Sequence, residues 1–459
     1  VQGEKLKGKH IVILGLARQG TALARFLVEA GAEVTISDLQ GEEALVDRLQ
    51  ELADIPIRYV LGEHPISLLD DADVLCLSGG VPLDVPIVAE AMRRGVSLSN
   101  DAQIFLDHCP APVVGITGSA GKTTTTALVG EMCRLAGLRT WVGGNIGNPL
   151  IADLAAIQPE DRVVMELSSF QLELMTTSPH VAAVLNITPN HLDRHKTMEA
   201  YIAAKRNIVA HQTAEDCAVL GYDDANARAL ALDTPARLVF FSGGAEVDAG
   251  AFKTNGELTL RADGVDYEIC RASQVRLLGH HNLLNVLAAS ALAGLAGVPL
   301  EVIRNVATTF TGVEHRLELV RDVNGTRWYN DSIATAPERA LAAIRSFQEP
   351  IVLLAGGRDK DLPWDEFAEE VLCRVRRLIT FGEAGPMIAK MVENASESGK
   401  ETRLEQVTRT GTLEEAVEAA ARAARSGDVV LLSPGGTSFD AFRDFVERGD
   451  RFKRLVQAL

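Results

Sequence analysis

Gly115-Ile-Thr-Gly-Ser-Ala-Gly-Lys-Thr-Thr-Thr-Thr126 decides the fold of this 459-residue chain. An apolar run, Pro112-Val113-Val114, leads into it, and Ala127-Leu128-Val129 continues in a helical pattern. Strand, small-residue loop and helix is the context of a phosphate-binding loop. Backbone N–H groups of such a loop can face an anion, and the helix N-terminus adds roughly half a positive charge. Lys122 is placed for the terminal phosphates, and the Thr123 hydroxyl for Mg²⁺. Gly118, Ser119, Ala120, Gly121 and Thr124 complete the loop. The usual glycine five residues before Gly121 is replaced by Ile116, and Gly115 and Gly118 are expected to supply flexibility instead. The stretch predicts a nucleoside triphosphate site in a parallel α/β domain.

Composition limits what surrounds that loop. At roughly 100–200 residues per domain the length accommodates two to four domains. No apolar run reaches the roughly 20 residues that span a bilayer, and the polar start Val1-Gln-Gly-Glu-Lys5 does not read as a signal peptide. The 6 cysteines are scattered without a CxxC pair, so neither a zinc site nor a disulfide framework is indicated. The formal net charge of −17 argues against general binding to nucleic acid or anionic membranes. A cytoplasmic α/β enzyme is expected.

Outward from the loop, three strand–glycine–helix units follow one another. The first opens with His10-Ile-Val-Ile-Leu14, turns through Gly15-Leu16-Ala17-Arg18-Gln19-Gly20, and reaches a second strand, Val34-Thr-Ile-Ser37, ending at Asp38. The pattern approximates a dinucleotide fingerprint, but Ala17 occupies the middle glycine position, and plain βαβ packing explains it equally well. Further strands are expected at Val74–Leu77 and near Val96, closing a first domain at 1–99. The second unit, 100–312, holds the phosphate loop and the apolar runs Val163-Val-Met-Glu166 and Val181–Asn186. Asn255-Gly256 and Asp263-Gly264 predict hairpins in a small β-rich part. The third, 313–459, alternates strands at Arg327–Asn330, Ile351–Leu354, Leu378–Phe381 and Val429–Leu432 with helical segments. Such alternation predicts parallel, doubly wound sheets whose ligands lie beyond the strands' carboxyl ends.

Polar clusters after those strands are the candidate sites. Glu166 closes an apolar strand and suits Mg²⁺, or a turn or helix cap. His191, Asp193 and His195 crowd the loop after the next strand, where they can hold a metal, orient a phosphate or form a polar surface. Lys205 falls on a helical stretch and by itself reads as a solvated lysine. Asn282 and Asn285, three apart at a helix start, can read an adenine edge or cap the helix. Arg316 and Asp331 suit phosphate and ribose.

Taken in order, Gly118-Ser-Ala-Gly-Lys-Thr-Thr, Gly144-Asn-Ile-Gly147, Glu166-Leu-Ser-Ser, His191-Leu-Asp with Lys205, His281-Asn-x-x-Asn285, Glu314-His-Arg316 and Asn330-Asp-Ser resemble the Mur ligase family over nearly the whole chain. The resemblance implies three domains: a Rossmann-like UDP-binding domain, a central P-loop ATPase domain and a Rossmann-like amino-acid-binding domain. It implies ATP-driven amide formation through an acyl phosphate, in peptidoglycan precursor synthesis. The implied cofactors are two Mg²⁺ ions and CO₂, held as a carbamate on Lys205. His191 and that carbamate would hold one ion, Thr123 and Glu166 the other.

The form of the Gly15–Gly20 turn and the tail Ser433-Pro-Gly-Gly-Thr-Ser-Phe-Asp-Ala-Phe442 imply UDP-N-acetylmuramoyl-L-alanine and D-glutamate as substrates. Gly15, Leu16, Ala17, Arg18, Gln19, Asp38, Leu39 and Gln40 would bind the UDP end, with Asn145 and His191 on the sugar-peptide portion. Asn282, Asn285, Arg316 and Asp331 would grip ATP, and Thr335, Lys360, Ser438, Phe439 and Phe445 the amino acid. A monomer that closes on its substrates is expected. One departure stands out: many D-glutamate ligases have lysine after Asn-Asp-Ser, where this chain has Ile333. Competing readings are a family member adding a different amino acid or a folate-type glutamate ligase, a nicotinamide oxidoreductase, and a nucleotide switch. No Asp-Asn-Pro-Arg motif of a diamino-acid adder is present. Ala17 counts against the oxidoreductase, and the set Glu166, His191 and Lys205 against the switch.

Overall fold

Short apolar runs closed by glycine or polar turns become the central parallel strands of three sheets. The structure, a computed structural model, describes residues 6–145, 147, 149–277, 279–360, 362–396 and 402–459, and for Asp193 the backbone alone. Ile146 of the Gly144–Gly147 motif lies outside the described residues. The chain divides into two compact units, Val1–Phe310 and Thr311–Leu459. Among the described residues no helix is long and apolar enough to cross a membrane.

The first sheet contains β1 (His10–Leu14), β2 (Glu33–Asp38), β3 (Arg58–Leu61), β4 (Val74–Leu77) and β5 (Ser97–Ser99), ordered β3-β2-β1-β4-β5 and parallel throughout. Chain order reverses direction between β1 and β4, so the crevice at their carboxyl ends is the topological switch point of this sheet.

The second sheet is built from β6 (Val113–Thr117), β7 (Thr140–Gly144), β8 (Arg162–Glu166), β9 (Val181–Val184), β10 (Cys217–Gly221), β11 (Arg237–Ser242), β12 (Gly250–Thr254), β13 (Glu257–Ala262) and β14 (Val265–Arg271). Their order is β14-β13-β12-β11-β10-β9-β6-β8-β7. The small β-rich part expected around the Asn255-Gly256 and Asp263-Gly264 turns is therefore the antiparallel edge β12–β14 of this same sheet. Its turns place Asn255 and Gly256 at φ 49° and 82°, and Asp263 and Gly264 at φ 51° and 76°. Two successive positive φ values are what a tight two-residue hairpin needs, and Asn-Gly and Asp-Gly tolerate them.

Sheets one and two share apolar packing. Leu27, Phe105, Leu150, Leu154 and Met165 belong to one buried cluster, in which the helix Arg18–Glu29 meets the turns after β7. The second face of the second sheet is covered by the helices Lys122–Leu135 and His280–Leu295, with Leu128, Met132, Val286 and Leu292 completely buried.

The second unit carries β15 (Glu318–Val323), β16 (Thr326–Asn330), β17 (Ile351–Gly356), β18 (Val375–Phe381), β19 (Gln406–Arg409) and β20 (Val429–Gly435), ordered β15-β16-β20-β17-β18-β19. β15 and β16 form a hairpin through Asn324 and Gly325, again both at positive φ. The rest of the sheet is parallel.

Candidate functional site

Because β8, β6 and β9 are neighbours, three polar turns emerge side by side at their carboxyl ends. After β6 the phosphate loop runs into the helix Lys122–Leu135. Gly121 caps that helix at φ 84°, and a Cβ there would come within 2.2 Å of Asn285 Oδ1. Only glycine meets both demands. Gly115, by contrast, lies inside β6, where a Cβ would meet Pro179 Cγ at 2.4 Å. Its role is close packing and not loop flexibility, which corrects the sequence expectation.

The loop is held from the β9 side. Ser119 N and Ala120 N donate to Asn186 O and Asn186 Oδ1, each at 2.9 Å, and Ser119 Oγ donates to Thr188 O at 2.9 Å. Tyr201 Oη and Ser119 Oγ are 3.0 Å apart. Two of the loop's N–H groups thus face protein. The first-turn N–H groups of the helix, those of Thr123 and Thr124 among them, have no intrahelical acceptor and point out of its N-terminus. That end of the helix is the anion-binding feature of the loop.

Around it sits a buried charged cluster. Glu166 is 1% exposed, Thr123 Oγ1 donates to its Oε2 at 2.9 Å, and Asn145 Nδ2 donates to its Oε1 at 2.9 Å. Lys122 Nζ donates to Gly118 O at 2.9 Å. Lys205, only 1% exposed, donates to the same carbonyl at 3.1 Å and to Thr117 Oγ1 at 3.2 Å. Burial above all, and then the Lys122 ammonium, hold the Lys205 amine well below the ordinary lysine range, with Glu166 acting in the opposite sense. A buried amine that gives up its proton is a nucleophile. Asn285 Nδ2 donates to Asn282 Oδ1 at 3.0 Å, and Thr125 Oγ1 approaches Asn285 Oδ1 at 3.4 Å, tying the helix His280–Leu295 to the loop. Lys122, Thr123, Asn145, Glu166, Lys205 and Asn285 are thereby brought together.

His191 lies in the turn after β9. It is exposed, at φ 54°, and its ring meets Phe170 edge-on at 5.2 Å. Among the described residues no group of three or more histidine, cysteine, aspartate or glutamate side chains is gathered as a metal cage. His195 is buried and bonds Ser169 Oγ at 2.9 Å.

In the first sheet, Asp38 accepts from Leu16 N at 2.7 Å and from Gln40 N at 2.8 Å. Its carboxylate staples the turn after β1 to the end of β2. Leu16 is buried, Ala17 and Arg18 are exposed, Gln19 is half-buried and Leu39 is 65% exposed. Gly15, at φ 94°, accepts from Ser78 Oγ at 2.9 Å, and a Cβ on Gly20 would strike Gly15 O at 2.1 Å. Sequence reasoning passed over the turn Ser78-Gly79-Gly80-Val81 that follows β4. Two glycines directly after an apolar strand were the available signal.

In the second unit, Asp331 follows β16, accepts from Ser433 Oγ at 2.8 Å and Leu317 N at 3.2 Å, and is pushed up to about 7 by burial, with Arg316 and Arg339 acting against that. The loops after β17 and β20 are zipped by two bonds, Arg358 N to Thr437 O at 2.9 Å and Thr437 N to Arg358 O at 2.8 Å. Exposed Lys360, buried Ser438 and Phe439, 61% exposed, lie on these zipped loops. Thr335 is half-buried two residues after Ile333, and Phe445 meets His315 edge-on at 6.1 Å. Beneath them Arg448 is fully buried. It donates to Ser332 Oγ, Ser332 O, Gly436 O and Thr437 O at 2.9–3.1 Å. No motif singled out Arg448.

Family models match in the same order as the sheets. A Mur ligase MurD-like N-terminal domain covers residues 9–100, a Mur ligase middle domain 116–293, and a Mur ligase glutamate ligase domain 315–436. UDP-N-acetylmuramoylalanine–D-glutamate ligase of Symbiobacterium thermophilum is 46% identical over 459 residues, covering 100% of this chain and 99% of its own. The protein of the same name from Acetivibrio thermocellus is 42% identical, covering 99% of this chain and 98% of its own. Among solved structures, UDP-N-acetylmuramate-alanine ligase of Thermotoga maritima aligns over 98% of this chain and 99% of its own, with a TM-score of 0.55 and 20% identity. That likeness concerns the three-domain fold.

Proposed function

The chain belongs to the Mur ligase family, and from that membership we propose that it joins D-glutamate to UDP-N-acetylmuramoyl-L-alanine at the expense of ATP. The domains of this reading are 1–99 for the UDP end, 100–312 for ATP and 313–459 for the amino acid. One observation carries the chemistry: the fully buried Lys205 rests on the same carbonyl, Gly118 O, as the phosphate-loop lysine. A permanently charged lysine there would add to the Lys122 charge without a carboxylate contact. An uncharged amine that takes up CO₂ becomes an anion beside the phosphate loop. This supplies the acidic group that the described side chains do not gather by themselves.

The donor set suits divalent cations. The Thr123 hydroxyl and the Glu166 carboxylate meet at 2.9 Å, and in this reading they would hold one Mg²⁺, with His191 and the Lys205 carbamate holding a second. Bound Mg²⁺ neutralises charge on the transferring phosphoryl group. The residues of the chain do the rest. Lys122 and the helix N-terminus hold the β- and γ-phosphates, and Asn145 fixes the Glu166 carboxylate. The substrate carboxylate attacks the γ-phosphorus, ADP departs, and the amine of D-glutamate displaces phosphate from the acyl carbon. Phosphoryl transfer is mostly positioning and electrostatics, so few acid–base groups are required. Asn282, Asn285, Arg316 and Asp331 bind ATP, Thr335, Lys360, Ser438, Phe439 and Phe445 the amino acid. The turn Gly15–Gln19 with Asp38, Leu39 and Gln40 receives the UDP end, in a monomer working in the cytoplasm.

Phosphate release with ATP, UDP-N-acetylmuramoyl-L-alanine and a panel of D- and L-amino acids tests the reading. Release specific to D-glutamate is expected. No release with any amino acid overturns it, and release with another amino acid alone overturns the specificity.

A further inference from the structure

The loop that carries His191 is strained and heavily tied down. His191 and Lys196 bracket the short helix Leu192–His195, and both have positive φ, 54° and 66°, although neither is glycine. Such conformations persist where surrounding contacts over-determine them. The contacts converge on one side chain, Phe170. Its ring takes the edge of His191 at 5.2 Å, stacks on His195 at 5.4 Å and receives the Arg194 guanidinium at 4.6 Å. His195 Nε2 adds the bond to Ser169 Oγ at 2.9 Å.

Phe170 is itself anchored toward the first sheet. The following residue, Gln171, donates to both carboxylate oxygens of Asp101 at 3.4 Å, and its carbonyl accepts from Asn100 Nδ2 at 2.8 Å. Arg194 reaches further. Its guanidinium donates to Val81 O at 2.5 Å and to Gly80 O at 3.3 Å. Those carbonyls belong to the turn after β4, at the switch point of the first sheet, where a doubly wound sheet receives its ligand. One guanidinium therefore touches the ligand-side turn of the first sheet with its N–H groups and the neighbour of His191 with its face.

We propose that Arg194 and Phe170 are a positioning pair that sets the His191 ring according to the state of the Ser78–Val81 turn, so that occupancy of the first sheet by a uridine diphosphate orients His191. The proposal rests on the ligase reading for the identity of that ligand. It needs no contact of Arg194 or Phe170 with the reacting atoms. A planar fork is required to grip two successive carbonyls while stacking on a ring, which lysine does not reproduce.

Ring-¹⁵N histidine spectra of the full chain test it, with the His191 signal assigned through His191→Gln. In the wild type, added UDP is expected to shift that signal. Arg194→Ala and Phe170→Leu are expected to lose most of the shift while retaining ATP binding and a thermal midpoint close to wild type. Where Arg194→Ala fails to fold, Arg194→Lys serves, since it keeps the charge and loses the fork. An undiminished UDP response of His191 in the folded variants overturns the proposal. Turnover with UDP-N-acetylmuramoyl-L-alanine forms the second arm. A kcat lowered about 10–100-fold with an unchanged KM for ATP is expected in Phe170→Leu, largely recovered in Phe170→Tyr. A Phe170→Tyr variant as slow as Phe170→Leu also overturns it. Absent wild-type turnover condemns the ligase reading alone, because the UDP response of His191 is read without catalysis.

Discussion

Two buried cations, Lys205 in the first compact unit and Arg448 in the second, are hydrogen-bonded to neutral acceptors, and they behave differently. Lys205 has two neutral acceptors, Gly118 O and Thr117 Oγ1, and shares the first with Lys122. Arg448 donates to four neutral acceptors from three of its nitrogens, and burial lowers it only to about 10. The guanidinium's burial is answered by these hydrogen bonds and by the charge of Asp440. The ammonium is a compact charge, and burial, then the neighbouring Lys122 cation, hold its pKa well below the ordinary lysine range. One site thus favours an uncharged amine, and the other holds loops in place. Arg448 fastens the Ser332 backbone to Gly436 and Thr437, which lie on the turns assigned to the amino acid.

That contrast is broken most directly by exchanging what each residue loses. Lys205→Ala is expected to lower kcat by about 10³-fold, the scale of removing a central electrostatic group. Added acetate should restore part of the rate by substituting for the proposed carbamate, and full activity without any added carboxylate would sink the assignment. Lys205→Met should be as inactive, yet as stable as wild type or more so in urea, because no uncompensated charge or acceptor is left behind. Arg448→Ala should do the reverse to stability. Four acceptors and a large volume are abandoned together, and a loss of about 3–5 kcal/mol is expected in the urea unfolding of the second unit. A midpoint within error of wild type would show that the buried fork is dispensable.

Asp331 sharpens the comparison through pH. Burial raises its carboxyl from the ordinary 3.8 to about 7. The folded form then binds a proton more tightly than the unfolded chain does. Its contribution to stability is complete below the unfolded value and is lost as pH rises through about 7. Between pH 5 and pH 8 the unfolding free energy of the wild type should fall by about 2–3 kcal/mol relative to Asp331→Asn, at about 1.4 kcal/mol per pH unit. Parallel urea titrations at the two pH values measure it, and identical slopes for both proteins would refute it. Lys205 has the opposite sign. Its folded value is depressed, so the unfolded chain binds the extra proton and stability rises with pH toward the ordinary lysine range.

Features set by neighbours in sequence were legible, and those set by neighbours in space were not. β1, β4 and β8 fall where short apolar runs end in a glycine or an acid, and the Asn255 and Asp263 hairpins follow from local φ demands. The Asn324-Gly325 hairpin carried the same signal and was overlooked. Lys205 illustrates the limit. Helical spacing assigns it a face but not which face is buried, and residue type suggests solvent. The resemblance to a family named it, and its 1% exposure follows from the helix Met198–Ala210 packing beside β6. Arg448 gave no signal at all, because nothing local distinguishes a buried arginine from the exposed ones on the same helix.

The smallest expected effect comes from Ile333, beside the loops that Arg448 secures. Ile333 N donates to His315 O at 3.1 Å, and the side chain is half-buried. In the proposed amino-acid site this chain has Ile333 where many D-glutamate ligases have lysine, and of the described cations on the loop after β17, Arg358 is paired with Glu383 at 2.8 Å while Lys360 is exposed. One charge-assisted hydrogen bond is worth roughly 1.5–3 kcal/mol when it forms in full. At a partly exposed position the lower end applies, which corresponds to about a tenfold change in binding. Ile333→Lys should thus lower the KM for D-glutamate about tenfold and leave kcat and the KM for ATP nearly unchanged. Steady-state phosphate release at varied D-glutamate measures this. An unchanged KM would mean that Lys360 alone suffices, and Lys360→Ala would then have to cost more in this protein than the added lysine gains.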